Sequence, residues 1–215
     1  MNSPRTSLAI SRNLYDGDAD DIHARVKAMY ARTKSVAEFA TLNVAYLMGV
    51  LPVTPGFWRQ PCRETFELAE DLIELNRAGF LTEWSQPFRS QPDAQKPYVT
   101  GMVRSQDAHR LIEAFEARAA RDFVYHVVEP FGATFTNAAF DANGFHAVGT
   151  KGVLHSAASM NDRDMYLEKW CDGNTAPLFA RFSYMWVAAR DFGRPMFPTR
   201  IMVETLQNRV GCPIT

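Results

Sequence analysis

Residues 63–87, "RETFELAEDLIELNRAGFLTEWSQP", contain the pattern that decides the fold of this chain. Apolar residues recur at helical spacing after the first two positions, which predicts an amphipathic helix from about Thr65 to Arg77. Gly79 stands where a left-handed residue would end that helix, and the following "FLTEW" predicts a strand. The Ser-Gln-Pro run after the strand predicts a turn.

Polar residues lie at both ends of this helix–strand unit. Glu64 and Thr65 precede the apolar stripe, and Thr82, Ser85 and Gln86 follow the glycine. In a structural interpretation, the first two satisfy free N–H groups at a helix start, and the others belong to an ordinary strand and turn. In a functional interpretation, both ends meet around a ligand, where a carboxylate would bind a ribose diol and hydroxyl and amide groups would hold a polar end. The residues alone leave both interpretations open.

Helix and strand patterns alternate along the rest of the chain without the regular βαβ rhythm of a parallel sheet. Further helices are predicted over residues 19–32, 35–50, 105–120, 165–170 and 199–209. Further strands are predicted over residues 98–104, 122–129 and 182–192, with several short ones between 131 and 160. We expect an α+β fold with mixed β-sheets flanked by helices, forming one domain over residues 19–215 behind a flexible lead-in over residues 1–18.

One helix start has a specific capping pattern. Ser35 followed by Glu38 predicts a capping box, in which each side chain accepts a hydrogen bond from the backbone N–H of the other residue. The helix that begins there is rich in apolar residues, so we expect it to be largely buried.

Composition excludes several classes of function. The net charge of −1, from 23 basic and 24 acidic residues, gives no basic face for a nucleic acid. The longest apolar run, "VAYLMGVLPV", is shorter than the roughly 20 residues that cross a bilayer. Cys62, Cys171 and Cys212 lie too far apart to suggest a disulfide framework or a zinc site. We expect a cytoplasmic protein with no metal and no nucleic-acid or membrane partner.

Standard catalytic motifs are missing from the chain. It has no dinucleotide-binding Gly-x-Gly-x-x-Gly, no phosphate-binding loop and no Gly-x-Ser-x-Gly elbow. Its five histidines show no metal-ligand spacing. No residue is therefore predicted to be catalytic from a motif.

Several segments resemble one known family. "LNRAGFLTEWSQP" resembles the C-terminal regulatory domain of eukaryotic methylenetetrahydrofolate reductase, which contains a Leu/Val-Asn-Arg-x-Gly-x-x-Thr-x-x-Ser-Gln-Pro run. "QKPYVTGMVRSQDAHRLIEAF", "VYHVVEPFGATFTNA" and "MVETL" are similar to later segments of that domain, in the same order. The similarity extends from about Lys34 to Gln207 and is strongest between Glu64 and Ala138.

The resemblance implies a ligand and the residues that contact it. That domain binds S-adenosylmethionine or S-adenosylhomocysteine and pairs into dimers. The resemblance places the adenosyl ligand against Glu64, Thr65, Thr82, Ser85, Gln86 and Thr150. A further hydroxyl would come from Ser156 or Ser159. Apart from the resemblance, the residues themselves suggest that the ring of Trp84, or the rings of Phe57 and Trp58, would cover an adenine.

This sequence differs from that family, and the differences limit the functions that we expect. The flavin-binding barrel has no counterpart, so we expect neither FAD nor folate reduction. The first hypothesis is a stand-alone adenosyl-ligand-binding protein that acts as a sensor or regulator, as a homodimer or with a regulated protein partner. The alternative is an enzyme that consumes S-adenosylmethionine as a lyase, hydrolase or transferase, with an acid or base drawn from Glu83, Tyr125, His126 and His155. A second alternative is a structural or interaction protein with a decayed pocket.

Overall fold

The computed structural model describes residues 16–88, 97–119, 122–137, 148–150, 153–155, 162–190 and 198–208. Its helices are α1 Ala19–Ala31, α2 Val36–Leu47, α3 Arg63–Glu67, α4 Ala69–Ala78, α5 Ser105–Ala119, α6 Asp162–Trp170 and α7 Thr199–Gln207. Its strands are β1 Leu81–Gln86, β2 Tyr98–Arg104, β3 Phe123–Val128, β4 Thr134–Thr136, β5 Val148–Thr150, β6 Val153–His155 and β7 Phe182–Ala189. Most of the predicted lead-in, residues 1–15, lies outside the described residues.

Five of these strands form one sheet, in the order β1-β2-β7-β3-β4. Every pairing in it is antiparallel, and β5 pairs with β6 in a separate antiparallel hairpin. The predicted α+β class is confirmed, although the described sheets are antiparallel rather than mixed. All eight residues of the central strand β7 are buried, because α5 and α6 pack against it. No helix in the described part of the chain is long and apolar enough to cross a bilayer.

The predicted capping box at the start of α2 is present with one change. The Ser35 hydroxyl accepts a hydrogen bond from the Glu38 backbone N–H at 3.2 Å. The Glu38 carboxylate accepts from the backbone N–H of Lys34 at 2.8 Å, one residue before the cap. The helix ends at Leu47 rather than continuing to residue 50, and Gly49 follows with a φ of 71°. Both ends of this buried helix are therefore set by local sequence.

The helix predicted between Thr65 and Arg77 is divided in two. It breaks at Leu68, where φ is −105° and ψ is 3°, so that α3 lies at the surface and α4 packs into the core. The prediction of a single helix was wrong, because the spacing of apolar residues does not reveal where a helix changes direction. Gly79 ends α4 in the left-handed region, with a φ of 95°, as predicted.

Strand β1 extends beyond the predicted "FLTEW" and contains a β-bulge. Ser85 and Gln86 pair with β2, so the turn predicted at these residues is wrong. The register places Thr82 opposite Gly101 and Ser85 opposite Val99, which leaves two residues of β1 opposite Thr100. In a regular strand, residues three apart point to opposite faces. The extra residue of the bulge instead puts Thr82 and Ser85 on the same face.

Close contact between β1 and β2 requires a glycine beside the bulge. A Cβ atom at Gly101 would lie 2.1 Å from the backbone oxygen of Leu81. Within the bulge, the backbone N–H of Trp84 donates to the Thr100 hydroxyl at 3.1 Å. Together these contacts fix the position of β1 against the rest of the sheet.

Candidate functional site

One cavity joins the two ends of the segment that decides the fold. It has a volume of about 280 Å³ and lies between α2, the loop before α3, α3 itself and β1. Its lining includes these predicted ligand-binding residues: Glu64, Thr65, Thr82, Trp84, Ser85 and Gln86. Residues from a helix start and from a strand thus line one space.

Other predicted contacts stand apart from this cavity or are not described. Thr150 pairs with Val153 in the β5–β6 hairpin, and its side chain is not among those the structure describes. Ser156 and Ser159 lie outside the described residues. Trp58 stacks on the His23 ring at a centroid distance of 3.7 Å rather than joining the cavity lining, whereas Phe57 lines the cavity.

A chain of neutral side chains supports one side of the cavity. The Asn76 amide donates to the Thr82 hydroxyl at 2.7 Å and accepts from the Thr82 backbone N–H at 3.3 Å. The Asn43 amide donates to the Asn76 oxygen at 3.0 Å and accepts from the Tyr30 hydroxyl at 3.0 Å. All four residues are buried. Because buried polar groups are costly to leave unpaired, this chain fixes the Thr82 hydroxyl at the cavity wall.

A charged cluster lies on the opposite face of β1, around Glu83. Its side chain is only 7% exposed, and one carboxylate oxygen accepts from the Lys169 ammonium at 3.3 Å and from the Trp170 indole N–H at 3.2 Å. The other oxygen accepts from the Tyr184 hydroxyl at 2.6 Å. The Tyr184 oxygen also lies 2.9 Å from the Thr100 hydroxyl, so the cluster is linked to the bulge. Three donors hold this carboxylate in one orientation.

Two aromatic rings form a wall that contacts both the cavity and this charged cluster. Phe57 and Trp84 meet edge to face, with centroids 4.7 Å apart and an interplanar angle of 89°. The Lys169 nitrogen lies 4.7 Å from the Phe57 centroid and 4.9 Å from the Trp84 centroid. These distances are within the range of cation–π interactions. Trp84 is nevertheless 45% exposed, so the aromatic wall reaches the surface.

A second cavity lies on the far side of the wall. It also measures about 280 Å³ and shares Glu83, Trp84 and Tyr98 with the first. Burial, followed by the nearby charge of Glu64, raises the pKa of Tyr98 to about 12. The Tyr98 hydroxyl therefore stays protonated at neutral pH and can donate a hydrogen bond in either cavity.

Sequence reasoning missed the supports of the site. Asn43 and Asn76 lie on apolar faces of α2 and α4, and an amide on such a face is a signal that could have found them. Lys169 had no such signal, because its contact with Glu83 joins positions 86 residues apart.

Of the acids and bases proposed for an enzyme, Glu83 lines the cavity. Tyr125 and His126 lie in β3, where the Tyr125 hydroxyl donates to Glu116 at 2.8 Å. The structure does not describe the side chain of His155. Among the described residues, no group of three or more His, Cys, Asp or Glu side chains is arranged to hold a metal ion.

Comparison with known proteins places the chain in a family. No curated protein matches the sequence significantly. Residues 25–164, which make up more than half of the chain, match a family described as "Domain of unknown function (DUF6919)". The chain therefore belongs to the DUF6919 family.

Proposed function

We propose that this protein binds an adenosyl ligand, S-adenosylmethionine or S-adenosylhomocysteine, and acts as a sensor or regulator without flavin chemistry. One observation carries the proposal. Five residues that the resemblance to a methylenetetrahydrofolate reductase regulatory domain assigns to an adenosyl site all line one cavity: Glu64, Thr65, Thr82, Ser85 and Gln86. They come from α3 and β1, which α4 separates in the sequence.

The chemistry of the lining suits the three parts of such a ligand. The Glu64 carboxylate can accept two hydrogen bonds from the ribose diol. The hydroxyls of Thr65, Thr82 and Ser85 can bind the amino-acid end. The Phe57 ring, which also lines the cavity, offers an apolar surface to the adenine. The volume of about 280 Å³ is near the lower end of small-molecule sites, so the ligand would fill the cavity and extend from its mouth.

The protein could transmit ligand binding as a signal because two separate elements, α3 and β1, form the site. A ligand that contacts both α3 and β1 binds best when the two are close together, and so stabilises that conformation. A protein partner, or a second copy of the chain, would detect this conformation. A cytoplasmic location accords with the free thiols of Cys62 and Cys171.

Calorimetric titration of the Glu64→Gln variant with both ligands tests the proposal. We expect affinity to fall about tenfold to a hundredfold, because a charged hydrogen-bond acceptor is replaced by a neutral group. Glu67→Gln is the matched control, since Glu67 is an exposed carboxylate on the same short helix and pairs with Arg63 at 3.8 Å. Equal weakening by both substitutions, or no heat with either ligand in the unsubstituted protein, would contradict the proposal.

An enzyme that consumes S-adenosylmethionine is the second candidate, favoured by the position of Glu83 in the cavity lining. Three donors already occupy its carboxylate, which suits a positioning role better than proton transfer. Chromatography of the ligand recovered after titration separates the two candidates. Intact ligand supports a binding protein, whereas conversion to a new species supports an enzyme.

A further inference from the structure

We infer that Lys169 sets the charge preference of the site, so that the protein favours the uncharged thioether, S-adenosylhomocysteine, over the sulfonium of S-adenosylmethionine. This inference rests on the proposed function and names the ligand that the site prefers. The two compounds share their adenosyl and amino-acid parts and differ in a methyl group and a positive charge at sulfur. Discrimination between them must therefore act on that charge.

The structure contains a place suited to a cation beside the cavity. The rings of Phe57 and Trp84 face it, and the buried carboxylate of Glu83 supplies a negative charge. Aromatic faces attract cations, and the attraction is greater where water is excluded. All three residues also line the cavity, so the place adjoins the proposed ligand.

Lys169 already occupies this place. Its ammonium lies 4.7 Å and 4.9 Å from the two ring centroids and 3.3 Å from the Glu83 oxygen. It lies in the last turn of α6, next to Trp170, whose indole donates to the same oxygen. The lysine side chain is 35% exposed, so it is held by specific contacts rather than by complete burial.

With Lys169 in this place, the site should bind the sulfonium and the thioether with different affinities. A sulfonium at the aromatic wall would meet the ammonium at short range, and the repulsion between like charges is strong in a partly buried site. To relieve it, Lys169 would have to leave both rings and the Glu83 carboxylate. A thioether carries no charge and can lie against the same wall while Lys169 stays in place. The site therefore favours the thioether.

The experiment compares the affinities of both ligands in four proteins. In the unsubstituted protein, calorimetry should show tighter binding of S-adenosylhomocysteine. In Lys169→Met, the affinity for S-adenosylmethionine should rise about tenfold or more relative to S-adenosylhomocysteine, because the repulsion between the ammonium and the sulfonium is removed. Lys169→Arg should keep the original preference. Lys27→Met is the control for net charge, since Lys27 lies on the exposed face of α1, and it should leave the ratio unchanged.

The outcomes separate this inference from the proposed function. If both ligands bind and the ratio is the same in Lys169→Met and the unsubstituted protein, the inference is overturned and the binding function stands. A preference of the unsubstituted protein for S-adenosylmethionine would overturn it equally. If neither ligand binds, the proposed function fails and the inference fails with it. An analogue with a protonated amine in place of the sulfonium should behave like S-adenosylmethionine in all four proteins, and failure to do so would contradict a preference based on charge.

Discussion

The two faces of β1 solve the problem of buried polar groups in different ways. On one face, Thr82 ends a chain of neutral amides and hydroxyls, and every member of the chain is buried. On the other face, the Glu83 side chain is only 7% exposed but pairs with a lysine whose side chain is 35% exposed. The neutral chain can form only one arrangement, whereas the charged cluster contains one long side chain that can move. The comparison suggests that the neutral face maintains the shape of the cavity and the charged face selects what enters it.

Gly101→Ala should break both faces at once and have the largest effect. A Cβ atom there would lie 2.1 Å from the Leu81 oxygen, so β1 would have to move away from β2. We expect the free energy of unfolding to fall by about 3 kcal/mol or more, measured by urea denaturation. Gly173→Ala is the control, because a Cβ atom at Gly173 meets nothing within 4 Å. A loss of less than about 1 kcal/mol at Gly101 would show that the bulge does not fix the strand.

Asn76→Ala should break only the neutral face. It removes the partner of the Thr82 backbone N–H, of the Thr82 hydroxyl and of the Asn43 amide, all of them buried. We expect a loss of about 2–3 kcal/mol in the free energy of unfolding, because buried groups are left unpaired. Asn174→Ala, in an exposed turn, should change stability by less than about 0.5 kcal/mol. Similar losses in the two variants would remove the distinction between the faces.

Glu83→Gln should break the charged face at a smaller cost. The amide must turn its NH₂ group towards at least one of three donors, and Lys169 loses its carboxylate. We expect a loss of about 1–2 kcal/mol, since the lysine can turn into solvent. Thermal or urea unfolding would measure it, with Glu67→Gln as the exposed control. A loss greater than that of Asn76→Ala would mean that the charged face, and not the neutral one, maintains the fold.

We expect the smallest of these effects in the alkaline unfolding of a Tyr98 variant. Tyr98 lines both cavities, and its pKa is raised by burial from 10.0 to about 12. An acid with a raised pKa in the folded state stabilises the fold fully below pH 10, and this contribution is lost as the pH rises towards 12. Tyr98→Phe should therefore flatten the decline in stability above pH 10 by about 1 kcal/mol.

The Cys171 thiol provides an internal control. Because of it, the stability of both proteins should begin to decline at a lower pH than the one at which Tyr98 ionises. Burial raises the pKa of the Cys171 thiol from 9.0 to about 12, so its contribution starts to fall from pH 9 in both proteins. Denaturation at fixed pH values between 8 and 12 would separate the two groups. Identical curves for the two proteins above pH 10 would show that Tyr98 is as accessible as it is in the unfolded chain.

Local sequence signals predicted local features of the fold. Ser35 and Glu38 predicted a helix start, and Gly79 predicted a helix end, because each acts through its own backbone neighbours. The proposed site residues could be grouped because helix and strand are joined by one tight turn. In contrast, the break at Leu68 and the bulge in β1 depend on what those segments pack against, and apolar spacing does not report it.

The contacts on the charged face could not be predicted from the sequence, for the same physical reason. Glu83 could be named as a titratable residue, but its partners Lys169 and Tyr184 reach it only through the folding of β7 and α6 onto β1 and β2. No pattern of neighbouring residues encodes such a contact. The charge preference proposed for the site therefore becomes visible only once the chain is folded.

The bulge in β1 also lets the strand carry two side chains where a regular strand would carry one. Thr82 and Ser85 share a face because two residues occupy the space opposite Thr100. Deleting either Glu83 or Trp84 would remove the bulge and leave Thr82 and Ser85 two residues apart, so both would still share a face, but one of the two side chains opposite Thr100 would be lost. A strand shortened by one residue would therefore keep the two hydroxyls of the cavity together and lose either the carboxylate that pairs with Lys169 or the ring that faces it.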